Sequence, residues 1–278
     1  MIRRRKIINK LALFFCFLTA LWGLFWLIFI LFDIIRHGIT ALTPSLFLNE
    51  PTPPGIPGGG LKHALIGHLL ITLTATLIGV PVGILGGTFL AEYGRNYIIS
   101  RIISYIADIM ISIPAIIVGT FVFAFMVKPM SHFSGLAGGV SLAIIMIPII
   151  VRTTENMLSL VPWTLREAAF ALGAPYYKVI FQVVYRGAGV GIFTGVILAI
   201  ARVAGEAAPL LFTSFNNAYT TYNIFQPMAS LTVTIFQYAM GPYEDWHKQA
   251  WGASFLITLF ILLLAIVGRY LVRLKFKA

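Results

Sequence analysis

The sequence predicts an all-α polytopic membrane protein with six transmembrane helices. Of its 278 residues, 59% are hydrophobic and only 10% are charged, and the mean hydropathy is +0.92. Soluble domains carry about 25% charged residues, so this composition cannot cover a water-facing surface. Several apolar runs also reach the length of about 18 residues that indicates a membrane-spanning helix.

The order of these runs gives the predicted spans. They are residues 11–35, 65–90, 102–127, 136–151, 188–212 and 252–272. The fourth is short for the roughly 20 residues that cross a bilayer, so five spans is the alternative count. The remaining segments are basic cytoplasmic termini at 1–10 and 273–278 and an outer loop at 36–64. The five-helix core at 65–272 contains a cytoplasmic loop at 152–187.

The distribution of Lys and Arg predicts that both termini are cytoplasmic. Cytoplasmic segments of membrane proteins are enriched in basic residues. Fifteen of the 20 Lys and Arg residues fall in the set of segments that contains both termini, four fall in the opposite set, and Arg202 lies inside a span. The first apolar run exceeds the 7–15 residues of a secretory signal peptide, so we expect it to be retained. Topology therefore accounts for the net charge of +11, and we expect no nucleic-acid partner.

Glycine recurs at every fourth position in two spans, at Gly79, Gly83 and Gly87 and at Gly187, Gly191 and Gly195. Small residues at this spacing let membrane helices approach closely. Prolines inside the second, third and fourth spans predict kinks there. These positions are Pro81, Pro114 and Pro148.

Motifs that are missing exclude several classes of protein. Cys16 is the only cysteine, which excludes a disulfide scaffold, and the histidines have no metal-ligand spacing with Cys, Asp or Glu. No Lys follows a Gly, so the chain has no phosphate-binding P-loop. We therefore expect no cofactor, no metal and no enzymatic activity of its own. If ATP drives the protein, a separate chain hydrolyses it.

A charged pair interrupts the fifth span. Inserting an arginine at the middle of a membrane helix costs roughly 2.5–3.5 kcal/mol, so Arg202 is expected to have a structural or functional role. Glu206 is four residues later, which predicts that the two side chains share one helical face. Either they form a structural ion pair, or this face lines a polar path for an anion. We favour the path, because a guanidinium binds two oxygens at once. Glu206 would hold Arg202 in position and prevent the anion from binding too tightly to be released.

The cytoplasmic loop contains a predicted amphipathic helix at 162–173. Pro162 can begin the helix, and Gly173 can end it in a left-handed conformation. The negative charge of Glu167 is favourable near the positive N-terminal end of the helix dipole. Its apolar face consists of Leu165, Ala168, Ala169 and Leu172. This face must be buried, either on the membrane surface or in a groove on another protein.

The same residues carry a resemblance to a known family. Glu167, Ala168 and Ala169, with Gly173 four residues later, resemble the EAA loop of ABC importer permeases. That loop forms the coupling helix that docks into a cleft on the ATPase subunit. The Leu-Pro that usually ends the pattern is absent, since Tyr185 and Arg186 stand at the matching positions.

Other segments narrow this resemblance. The stretch 199–213, which contains Arg202 and Glu206, is similar to the fifth-span signature of PstA-type phosphate permeases, as are 113–120 and 58–67. The resemblance implies a six-helix ABC importer permease in a prokaryotic inner membrane. It also implies three partners: a second homologous permease chain, a cytoplasmic dimer of ABC ATPases and an extracytoplasmic phosphate-binding protein. Arg202 and Glu206 would lie on the substrate path.

The predicted function is therefore that of the transmembrane subunit of an ATP-driven importer for inorganic phosphate, which forms half of the translocation path. One alternative is the same architecture with another oxyanion, such as phosphonate, sulfate or molybdate. Another is an ion-coupled secondary transporter, which would need discontinuous helices, repeated halves and several intramembrane carboxylates. A non-transporting membrane protein would leave Arg202 and the helix at 162–173 without a role.

Overall fold

The computed structural model describes residues 2–56, 58–94 and 97–275, and every regular element within them is helical. The helices are α1 (Ile2–Ala41), α2 (Pro44–Leu48), α3 (Lys62–Thr88), α4 (Ile98–Ser112), α5 (Ala115–Val122), α6 (Lys128–Met130), α7 (Gly135–Ser159), α8 (Trp163–Ala171), α9 (Tyr176–Val179), α10 (Tyr185–Ala204), α11 (Ala208–Thr213), α12 (Leu231–Ala239) and α13 (Glu244–Lys275). Wide π-helical turns follow α3, α5 and α9, at Phe89–Tyr93, Phe123–Val127 and Ile180–Val184. The all-α class is confirmed.

Within the described residues, five helical stretches are long and apolar enough to cross a membrane: Arg4–Ala41, Lys62–Tyr93, Gly135–Ser159, Tyr176–Ala204 and Glu244–Tyr270. The pair Ile98–Ser112 and Ala115–Met130 adds a sixth if it is counted as one crossing.

The segments at both ends of the chain differ from the predicted bounds. Helix α1 extends beyond 11–35 in both directions, so residues 2–10 continue the helix instead of forming a separate terminus. The predicted outer loop at 36–64 contains the end of α1, the short α2 and the start of α3. Helix α13 includes residues 273–275, and residues 276–278 lie outside the described part of the chain.

The third span, predicted as one kinked helix over 102–127, is broken rather than kinked. Helices α4 and α5 meet at an angle of 105°. Between them, Ile113 (φ −72°, ψ 131°) and Pro114 (φ −56°, ψ 133°) are extended. A residue that precedes proline is forced out of the α region by the proline ring, which explains why α4 ends at Ser112.

The fourth span is longer than the predicted 136–151, because Arg152 does not mark its end. Helix α7 is 25 residues long and continues past Arg152 to Ser159. Arg152 donates to Asp108 Oδ1 of α4 (2.7 Å) and to Glu155 Oε2 one turn further along α7 (2.8 Å). Two carboxylates thus neutralise this charge within the helix bundle. The cytoplasmic loop predicted at 152–187 shrinks accordingly to residues 160–175, because the next span begins at Tyr176.

Helix α7 is the centre of the bundle, and both glycine stripes pack against it. A Cβ atom at Gly83 of α3 would lie 2.6 Å from Cβ of Ile150, and one at Gly195 of α10 would collide with the side chain of Thr153. Of the apolar part of α7, 61% is buried, against 0% for α1. The prediction that glycines allow close helix contacts is confirmed: five of the six contact α7, and Gly187 contacts Val161 just beyond its end.

The segment that follows α11 covers the N-terminus of α7. The first backbone N–H groups of a helix have no partner within it. Here Gly135 N donates to Gln226 O (2.9 Å) and Leu136 N to Ile224 O (2.7 Å), while Ser134 Oγ accepts from Ala137 N (3.1 Å). The segment between α11 and α13 is therefore partly folded into the bundle, and it also contains α12.

Candidate functional site

Helix α8 is the predicted docking helix, and the structure forms it with the expected ends. Pro162 precedes it in an extended conformation, and Gly173 follows it with φ +77°. Gly173 N donates to Phe170 O (2.9 Å), and Ala174 N donates to Ala169 O (3.2 Å). These two bonds make a Schellman motif, in which a left-handed residue satisfies the last carbonyls of a helix.

The predicted apolar face of α8 is largely exposed in this chain. Leu165 is 50% exposed and Leu172 is 89% exposed, and Glu167 and Ala168 are exposed as well. Ala169 differs, because it is half-buried against the cluster that includes Leu158, Val161, Val179 and Val184. Apolar side chains with this exposure on a short helix form a surface that a partner or a membrane can cover.

Arg166 attaches α8 to the bundle, and sequence reasoning counted it only as one of the basic loop residues. Its guanidinium donates to Glu92 Oε1 (2.7 Å), to Val161 O (2.5 Å) and to Leu158 O (3.1 Å). The side chains of Arg166 and Glu92 are only 6% and 2% exposed. The guanidinium also lies 5.4 Å from the ring centroid of Trp163. A buried charge is tolerated only when it is paired and hydrogen-bonded, as here.

Glu92 also receives contacts from the helix that follows α8. The hydroxyl of Tyr176 donates to Glu92 O (2.8 Å) and is 3.5 Å from Glu92 Oε2. The ring of Tyr176 stacks on Phe170 of α8, with centroids 5.9 Å apart. Glu92 lies in the π-helical turn that ends α3, where a charge near a span end gave no signal in the sequence.

The pair Arg202 and Glu206 is not arranged as predicted. Arg202 lies in the last turn of α10, which ends at Ala204, whereas Glu206 lies in the break before α11. Pro209 explains the break, because its ring would clash with the carbonyl of Gly205 in a continuous helix. The fifth span therefore ends eight residues before the predicted 212.

The two charged side chains consequently do not share a helical face. Arg202 is exposed and Glu206 is half-buried, and the described part of the chain contains no ion pair between them. Glu206 is held through its backbone, since its N–H donates to Val203 O (3.1 Å) and its carbonyl accepts from Thr232 Oγ1 (3.0 Å). The guanidinium of Arg202 thus keeps its N–H donors available for an anion.

The described residues contain no group of three or more His, Cys, Asp or Glu side chains that could hold a metal ion. The two candidate sites therefore lie on α8 and at the end of α10. Both candidate sites lie C-terminal to the middle of α3.

A model of the family described as "Binding-protein-dependent transport system inner membrane component" matches residues 79–275, which include α7, α8 and α10. The chain belongs to this family of transport permeases. Helix α1 lies outside the matched region, and its C-terminal part packs against α13, where His37 stacks on Trp251.

Several named proteins are similar in sequence to this permease along most of its length. The phosphate transport system permease protein PstA of Pasteurella multocida is 49% identical over 265 residues, which are 95% of this chain and 94% of the relative. PstA of Haemophilus influenzae is 50% identical with the same coverage. A probable PstA of the archaeon Methanocaldococcus jannaschii is 36% identical and covers 85% of this chain and 81% of the relative. The resemblance to PstA-type permeases is confirmed.

A solved structure supports the fold of the permease. An inward-facing crystal form of the methionine ABC transporter MetNI contains a chain that matches with a TM-score of 0.61. The match covers 77% of this chain and 94% of that chain, at 22% sequence identity. At this identity the likeness concerns the fold alone, and it agrees with the predicted ABC importer permease type.

Proposed function

We propose that this chain is the transmembrane permease subunit of an ATP-driven importer for inorganic phosphate and forms half of the translocation path. The observation that carries the proposal is its identity of 44–50% to five proteins named PstA, over at least 95% of this chain. The exposed guanidinium of Arg202 at the end of a membrane helix supports an anionic substrate.

The energy comes from a separate ATPase dimer that binds α8. Leu165 and Leu172 present an apolar surface, while Glu167, Ala168, Ala169 and Gly173 give the helix its shape and its end. This docking requires α8 to be on the cytoplasmic side. If both termini are cytoplasmic too, the number of crossings is even, so α4 and α5 together make one crossing.

Phosphate passes close to Arg202 and Glu206. Two N–H donors of Arg202 bind two phosphate oxygens, and an arginine suits this task because its fork matches the geometry of the oxyanion. Glu206 lies at the break between α10 and α11 rather than beside Arg202, so its repulsion of the anion changes when α10 and α11 move relative to each other. This differs from the expectation that Glu206 holds Arg202 in position.

Two further partners complete the importer. A second homologous permease chain forms the other half of the path, and a phosphate-binding protein delivers the substrate from outside. The break between α4 and α5 leaves Ile116, Ile117, Phe121 and Phe125 exposed, which gives this chain an apolar surface for the lipid or the second permease.

The test is phosphate uptake into proteoliposomes that contain the complex purified with this chain. We expect ATP-dependent uptake of labelled phosphate that excess unlabelled phosphate abolishes and that sulfate or molybdate leaves unchanged. Competition by a different oxyanion would keep the importer and change its substrate. Uptake without ATP, driven by an ion gradient, would contradict the proposal.

A further inference from the structure

We propose that Arg166 is a positioning residue that ties the docking helix α8 to the transmembrane helix α3, so that a displacement of α8 moves α3. This inference rests on the proposed function, because it assigns the ion pair of Arg166 and Glu92 a part in the coupling of ATP hydrolysis to transport. The pair is buried at the junction of α3, α7, α8 and α9.

Helix α8 is joined by the chain to α7 and α9 but not to α3. Short segments join α8 to α7 and to α9, so these helices follow α8 through the chain itself. Helix α3 has no such connection, since Glu92 and Arg166 are 74 residues apart in the sequence. The bond between their side chains therefore supplies a direct link from α8 to α3.

The ion pair of Arg166 and Glu92 constrains α8 more strictly than its apolar contact does. The apolar contact of Ala169 with the bundle permits sliding, because hydrophobic contacts have no preferred direction. The ion pair fixes both distance and direction, and its two partners are held from further sides. Arg166 also binds Val161 O and Leu158 O, and Glu92 accepts from Tyr176.

The ion pair of Arg166 and Glu92 is almost completely buried. Separating the two charges would leave each of them without a counter-charge in a nearly water-free site, which is strongly unfavourable. A movement of α8 therefore carries Glu92 with it. Glu92 lies in a π-helical turn, and such turns occur frequently at functional sites. A second contact, between Thr88 Oγ1 and the hydroxyl of Tyr185 (2.5 Å), links the same end of α3 to α10.

The experiment uses the complete importer in proteoliposomes and measures phosphate transported per ATP hydrolysed. In the double variant Glu92→Gln/Arg166→Met both charges are removed together, so no buried charge is left alone. We expect the complex to assemble and hydrolyse ATP, while the transport ratio falls at least about fivefold, the lower end of typical coupling between sites. The control is Lys178→Met, which removes an exposed basic residue of α9.

A milder variant covers the case in which the double variant fails to assemble. Tyr176→Phe removes only the hydroxyl that binds Glu92, and Tyr177→Phe, an exposed neighbour, is its control. We expect a smaller loss of transport per ATP in Tyr176→Phe and no loss in Tyr177→Phe.

The outcomes separate this inference from the proposed function. Fewer assembled complexes with an unchanged transport ratio would mean that the pair is only structural, and would overturn the inference. If the wild-type complex shows no ATP-driven phosphate uptake at all, the proposed function fails instead.

Discussion

Glu206 lies beyond the end of the helix that carries Arg202, so the spacing of four residues between them does not form an ion pair. The break follows from Gly205 and Pro209, because proline at this distance is incompatible with the carbonyl of Gly205 in a continuous helix. The two charges are therefore independent in this conformation, and each can change without leaving the other buried and unpaired.

The first prediction concerns Arg202 in transport. Arg202→Gln should lower phosphate uptake to the background, because the neutral amide cannot replace the charge that binds the anion. Arg202→Lys should retain a small part of the activity, since a point charge lacks the two parallel donors. Labelled phosphate uptake checks both, with the amount of assembled complex as the control. Normal uptake by Arg202→Gln would exclude the anion role.

The second prediction concerns the independence of the two charges. In a double-mutant cycle with Arg202→Gln and Glu206→Gln, the changes in free energy of unfolding should add to within about 0.5 kcal/mol. The reason is that Arg202 is exposed and no carboxylate partner loses its pair. Denaturant unfolding in detergent measures the cycle. An interaction energy above about 1 kcal/mol would indicate that the two side chains form an ion pair after all.

The features that the sequence predicts well are those that depend on short-range patterns. Apolar runs gave the membrane class, the glycine spacing gave the close contacts of Gly83 and Gly195, and Gly173 gave the end of α8. Two features that it does not predict depend on residues distant in the chain. The predicted fourth span ends before Arg152, because the charge of Arg152 is neutralised by Asp108, which is 44 residues away and cannot be paired with it from the sequence. The ion pair of Arg166 and Glu92 likewise leaves no local pattern in the sequence.

The third prediction concerns the docking surface of α8. Leu172→Asp should weaken ATPase binding at least about tenfold. The substitution replaces an apolar side chain that is 89% exposed with a charged one, which would lose water on contact with the ATPase. Leu160→Asp is the matched control, since Leu160 is 71% exposed at the same end of the bundle but lies before α8. Co-purification of the ATPase, measured at equal permease levels, separates the two. Equal loss in both variants would contradict a specific surface on α8.

The fourth prediction concerns the conformation of Gly173. A side chain there has open space, since a Cβ atom would meet nothing within 4 Å, but the φ of +77° is unfavourable for other residues. Gly173→Asn should retain ATPase binding, because asparagine tolerates the left-handed region. Gly173→Val should weaken it at least about fivefold, as a left-handed L-residue costs roughly 1–2 kcal/mol. Identical affinities for the two variants would show that the helix end does not shape the docking surface.

The fifth prediction concerns the packing of α3 on α7. Gly83→Leu should destabilise the protein by about 1–3 kcal/mol, because even its Cβ atom would lie 2.6 Å from Ile150 and a buried close contact cannot expand without moving a helix. Gly23→Leu provides the matched control in a membrane helix, since a Cβ at Gly23 of α1 meets nothing within 4 Å. Thermal unfolding of the purified chain in detergent should give a lower midpoint for Gly83→Leu and an unchanged or higher one for Gly23→Leu. Because both variants add the same apolar side chain, their difference isolates the contact between the helices from any general effect on hydrophobicity, and equal midpoints would mean that α3 and α7 are not closely packed.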